Sequence, residues 1–105
     1  MSSLYAIQQE KEFLSGVIRS EGAVLAECSQ ITEADFTPDT NRPVFATILA
    51  CMATERRVNK EILVARLEAM NIKVAGEIPP GLYVNSLDLL GVSAKSAVAL
   101  ANELK

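Results

Sequence analysis

Apolar residues recur at three- and four-residue intervals through almost the whole chain, and only a few breakers interrupt them. Leu4, Ile7, Leu14 and Ile18, widened by Phe13 and Val17, mark one face of a first helix that runs to about Arg19. Glu21-Gly22 ends it, and Val24, Leu25 and Cys28 mark a short second helix between Ala23 and Ile31. Pro43 fits only a first turn, so a third helix starts near Thr40 or Asn41, with Val44, Phe45, Ile48, Leu49 and Met52 facing inward. Asn59 is a good N-cap for a fourth, carrying Ile62, Leu63, Leu67 and Met70. Pro79-Pro80 opens another, with Leu82, Tyr83, Leu87 and Leu90, and Gly91 stops it. Ser93 caps the last. Between Asn71 and Gly81 the pattern is undecided, and Ile72, Val74 and Ile78 allow a short extended piece. The expected fold is all-α, a compact multi-helix orthogonal bundle.

Two details refine that picture. Thr32 and Asp35 stand in capping-box spacing, and Phe36 enters the core just before the chain reverses at Thr37-Pro38-Asp39. Phe36, Phe45 and Leu49 are the expected core anchors. Gly16 costs roughly 1 kcal/mol against alanine inside a helix, which a close helix–helix approach would offset. The face of the last helix is Ala94, Ala97, Val98, Ala101 and Leu104, narrow and mostly alanine. Such a stripe lets backbones approach closely, so these five residues are the interface candidates. The pattern continues to Lys105 without Gly, Asn or Pro, so Lys105 reads as a truncation point. The pattern thus sets a last helix over 93–105 apart from the helices before it.

At 105 residues there is room for one hydrophobic core. Half the residues are apolar and 22% charged, a supply rich enough to reserve some for a partner surface. The net charge of −3 argues against nucleic acid as the main ligand, because phosphate binding needs clustered Lys and Arg. Arg56-Arg57 with Lys60 is the one basic cluster, and it reads as a helix C-terminus where cations complement the macrodipole. Cys28 and Cys51 lie outside any C-x-x-C motif and read as small buried thiols of a reducing, cytoplasmic protein. The first residues lack a signal-peptide pattern, and no apolar run reaches membrane-spanning length.

Catalytic chemistry is not written here. There is no histidine, which removes Ser-His-Asp and Cys-His arrangements and every histidine metal site. The five glycines form no phosphate-cradling loop. Glu33 and Asp35 are explained by capping, and Tyr5 and Tyr83 read as half-buried core or interface residues. The expectation is a chain without catalytic, cofactor-binding or metal-binding residues.

In several segments the sequence resembles the N-terminal domain of bacterial and phage replicative hexameric helicases of the DnaB type. That domain opens with a Glu four residues before a Leu-Gly-x-Leu/Ile-Leu/Ile run, and Glu10, Leu14, Ser15, Gly16, Val17 and Ile18 fall in register, with Ser15 for the usual glycine. An acidic residue, Asp, Phe and Tyr follow in the family; Glu33, Asp35, Phe36 and Thr37 stand there, the tyrosine lost. The family's His-Arg-x-Ile-Phe helix start is matched by Asn41, Arg42, Pro43, Val44 and Phe45, with Asn41 still able to cap. Val58-Asn59 replaces a hydrophobic-Asp cap, and Leu82 to Leu87 resembles the last head helix. The resemblance covers about residues 8–105, and the departures suggest a divergent member, bacterial or phage-encoded.

Ser93 onward resembles the start of the family's helical hairpin, and the resemblance implies a collar domain, with a helical head over 1–92 and the start of a truncated helical hairpin over 93–105. In the family such heads and hairpins pair as dimers, three to a ring, above the ATPase motor, and the collar docks the primase. Partners would be further copies of itself, the primase and a helicase loader, with DNA met only through the parent helicase. ATP and Mg would belong to the absent motor. Two alternatives stand beside it: the helicase-binding domain of a primase, and a stand-alone helicase loader or regulator. An unrelated helical DNA-binding domain is disfavoured by the acidic balance.

Overall fold

The computed structural model describes residues 4–74 and 76–104, so the expectation about Lys105 lies outside the described residues. Within them the fold is all-α. Five helices form a compact bundle: α1 (Leu4–Arg19), α2 (Asn41–Glu55), α3 (Lys60–Ala69), α4 (Pro80–Leu89) and α5 (Ala94–Leu104). Short 3-10 turns at Ala23–Glu27 and Glu33–Asp35 link α1 to α2. α1 packs against α5, α4 and α2, while α3 bridges α2 and α4.

The helix limits follow local chemistry. Asn59 caps α3 by accepting the Ile62 N–H at 2.8 Å. Pro80 opens α4, where its missing N–H would have no helical partner anyway. Ser93 accepts the Ser96 N–H at 3.1 Å at the head of α5. Asp35 accepts the Thr32 N–H at 2.8 Å and its hydroxyl at 3.4 Å, which closes the small turn ahead of Phe36. Asn41 does not cap. α2 begins at Asn41 itself, behind Thr40, and the Asn41 side chain is committed elsewhere.

The expected helix from Ala23 to Ile31 shortens to the 3-10 turn Ala23–Glu27. Gly22 enters it at φ 91, and Cys28 leaves it at φ −129, so too few residues keep helical dihedrals for an α-turn to propagate. A Cβ on Gly22 would also meet the Met52 Sδ at 2.4 Å. In the undecided stretch, Val74 and Ile78 form an isolated antiparallel bridge.

Phe13, Phe36 and Phe45 stack in series through the core, with ring centroids 6.1 Å and then 4.4 Å apart. Leu14, Val17, Val44, Ile48, Leu63, Leu67, Val84 and Leu87 fill the space around them. Leu49 does not join this core. The buried side of α2 runs through Val44, Phe45, Ile48 and Cys51, and Leu49 lies on its flank, 37% exposed. Ala97 and Ala101 belong to the same core, so α5 packs as part of the bundle rather than apart from residues 4–92.

Candidate functional site

Glu10 lies on the apolar side of α1, one turn before Leu14, and is only 3% exposed. A carboxylate taken out of water must be fully hydrogen-bonded to be tolerated. Its Oε1 accepts the Thr37 N–H and the Asn41 Nδ2, each at 2.9 Å. Its Oε2 accepts the Thr37 hydroxyl at 3.0 Å. Asn41 passes the chain on, accepting a short hydrogen bond from the Tyr83 hydroxyl at its Oδ1. The Lys11 Nζ lies 5.7 Å above the Tyr83 ring.

This network ties α1 to the loop before α2 and to α4. Burial, and then the nearby Glu10 carboxylate, push the Tyr83 phenol up to about 12. The phenol therefore stays protonated and acts as a fixed donor. With Glu10, Thr37, Asn41 and Tyr83 joined by hydrogen bonds, the arrangement clamps four segments, α1, the loop before α2, the start of α2 and α4. Thr37, Asn41 and Tyr83 act at positions the sequence reading left as a lost tyrosine, a cap and a half-buried ring. The available signal was Glu10 itself, a charge on the Leu14–Val17 face.

The five interface candidates meet a different fate. Ala97 and Ala101 are fully buried within this chain, where α5 packs on α1 and the 3-10 turn Ala23–Glu27. Val98 and Leu104 are partly buried on the same core, which leaves Ala94 exposed. Ala97 and Ala101 of the stripe are thus used within the chain. Gly16 is the reason: a Cβ there would sit 2.3 Å from the Ala97 Cβ and 3.2 Å from the Ser93 carbonyl oxygen. Ser15 completes the seam, its hydroxyl accepting the Val92 N–H at 3.3 Å. Two adjacent small residues on α1 therefore seat the start of α5.

On the surface, the basic cluster follows α2, with Arg56 as its left-handed C-cap at φ 62. Arg57 lies 3.9 Å from Glu21, and Lys60 lies 3.7 Å from Asp88, which Arg19 also approaches at 3.7 Å. These cations are therefore partly neutralised by neighbours. Tyr5 is mostly exposed rather than half-buried. Cys28 and Cys51 are buried free thiols, and burial raises both above the usual thiol range. Among the described residues no group of His, Cys, Asp and Glu could hold a metal, and no helix is long and apolar enough to cross a membrane.

Several large apolar side chains are also exposed. Leu82 and Leu89 are 67% and 75% exposed on the outer side of α4, and Leu90 follows them. An open groove of about 540 Å³ runs between α3 and α4 beside Leu82. Comparison with family models, with curated proteins and with solved structures finds no match to this chain.

Proposed function

We propose that this chain is the collar head of a DnaB-type replicative helicase, a non-catalytic cytoplasmic module that assembles with copies of itself and docks the primase. One observation carries the proposal. Glu10, Thr37, Asn41 and Tyr83 come from four of the segments on which the resemblance rests, and they converge in one buried network. Glu10 and Tyr83 stand where the likeness holds and Thr37 and Asn41 where the chain departs from it, and the network joins all four segments. Support also comes from the Ser15-Gly16 pair, which lies in the quoted Leu-Gly-like run and seats α5.

The proposal places ATP hydrolysis and strand separation in the rest of the parent protein and gives this head a partner-binding task. Titration calorimetry against the C-terminal domain of the cognate primase tests it. Saturable heat with one primase domain per head, at micromolar Kd or tighter, is the expected result. A folded primase domain that gives no heat at any accessible concentration would remove primase docking from the proposal.

A further inference from the structure

α4 carries one charge, Asp88, and two exposed polar side chains, Asn85 and Ser86, and the rest of its surface is apolar or small. Here Tyr83, Val84 and Leu87 point into the core, while Leu82 and Leu89, seven residues apart on one face, are left in water. Beside Leu82 α3 presents Val64 and Ala65, and Gly81 keeps the wall between the two helices low, so a mainly apolar trough, with Asn85 on its α4 side, runs between α3 and α4, and Leu89 lies beyond its end. Glu61 and Glu68 stand on the α3 rim, and among the described residues neither makes an ion pair. Lys60, at one end of the trough, is drawn toward Asp88 at 3.7 Å.

We propose that this trough is a docking site for an amphipathic helix of a partner protein, with an aliphatic stripe that covers Leu82 and Leu89 and Lys or Arg residues that meet Glu61 and Glu68. This inference rests on the docking role proposed above and specifies its surface. A helix laid against two neighbouring helices buries its apolar side along their shared groove. α3 and α4 are each 10 residues long, so the trough accommodates about 15 Å, or roughly three turns, of the incoming helix. Charge selects the occupant. A second copy of this acidic chain would bring its own Glu61 and Glu68 toward the same rim in a symmetric pairing, and the two sets would repel. A basic-flanked helix instead gains steering and orientation from them.

The test uses two labelled helical peptides of about 18 residues with the same leucine stripe, one flanked by lysines and the other by glutamates. Each is titrated into the full 105-residue chain and followed by fluorescence anisotropy. The basic peptide is expected to bind at least tenfold more tightly than the acidic one. Glu61→Lys with Glu68→Lys should reverse that order, and Leu82→Asn should weaken both peptides at least tenfold. All three substitutions are at exposed side chains, so circular dichroism melts should match the parent and confirm that the fold is intact.

Equal affinity for the two peptides, no binding of either, or variants that bind like the parent would overturn the proposal. So would a dimer of the chain alone that Leu82→Asn dissolves, because the occupant would then be a second copy. The primase titration separates the two levels. Undiminished primase binding by the Leu82→Asn variant would refute this groove and leave the docking role standing. Charge-selective peptide binding without primase binding would do the reverse.

Discussion

Tyr83 shows most clearly how one side chain links sequence, core and stability. Its ring is buried among α1 and α4 residues, and its hydroxyl completes the hydrogen bonding of Asn41, which in turn helps satisfy Glu10. Because the folded-state pKa rises from 10.0 to about 12, the fold favours the neutral phenol. That contribution is fully present below pH 10 and is lost as pH climbs through the folded value. The loss should be of order 2–3 kcal/mol across this window. Denaturant melts at successive pH values between 9 and 12 would show it as a falling midpoint. Tyr83→Phe removes the titrating group and leaves the Asn41 carbonyl without its donor. The variant should be about 1–2 kcal/mol less stable at pH 8, with a shallower decline above pH 10. A decline as steep as that of the parent would place the alkaline transition elsewhere in the molecule.

The α1–α5 seam is the element-scale counterpart. Ser15-Gly16 on α1 and Ala97 on α5 are matched in size, and the fit leaves no room for another methyl group at Gly16. Gly16→Ala should gain helix propensity of about 1 kcal/mol yet lose more through overpacking, for a net destabilisation of about 1–2 kcal/mol. Pairing it with Ala97→Gly should recover much of that loss, as a double-mutant cycle on urea midpoints would reveal. Strict additivity of the two changes would mean that the helices do not meet there.

The same seam shows what a sequence can and cannot disclose. Asn59, Pro80, Ser93 and Gly91 mark helix limits through local capping and backbone chemistry, so those limits were legible in the chain itself. The apolar stripe of α5 was legible too, and so was the need for a close approach at Gly16. Periodicity names a face, however, and never its partner. The two features belonged to each other, and α5 took α1 within the same chain instead of a second molecule. Asn41 illustrates a similar gap: its residue type suits a cap, but only the fold brings Glu10 and Tyr83 to its two ends. Leu49 failed as a core anchor for a subtler reason, since a helix stripe has a centre and a flank that spacing alone blurs. The exposed side of α4 was hidden because Leu82, Leu87 and Leu90 read alike until the packing divides them.

At the scale of the molecule, the chain is an acidic all-α bundle with a hydrogen-bonded interior and a mainly apolar trough between α3 and α4, and under the proposed function it holds partners. Ala97 and Ala101 of the α5 stripe are taken up within the chain, which leaves Ala94 and parts of Val98 and Leu104 on the surface. Light scattering on the 105-residue chain is expected to give a monomer or a weak dimer, and a stable hexamer would contradict that. The net charge of −3, with Arg57 and Lys60 close to acidic neighbours, also makes single-stranded DNA a poor ligand at physiological salt. The most direct measurement is an amide-resolved NMR titration of the isotope-labelled chain, first with the C-terminal domain of the cognate primase and then with single-stranded DNA. The account predicts shifts confined to one face of the bundle with the primase domain, and no saturation below micromolar DNA. Submicromolar binding of DNA, with the primase domain leaving every amide in place, would contradict it.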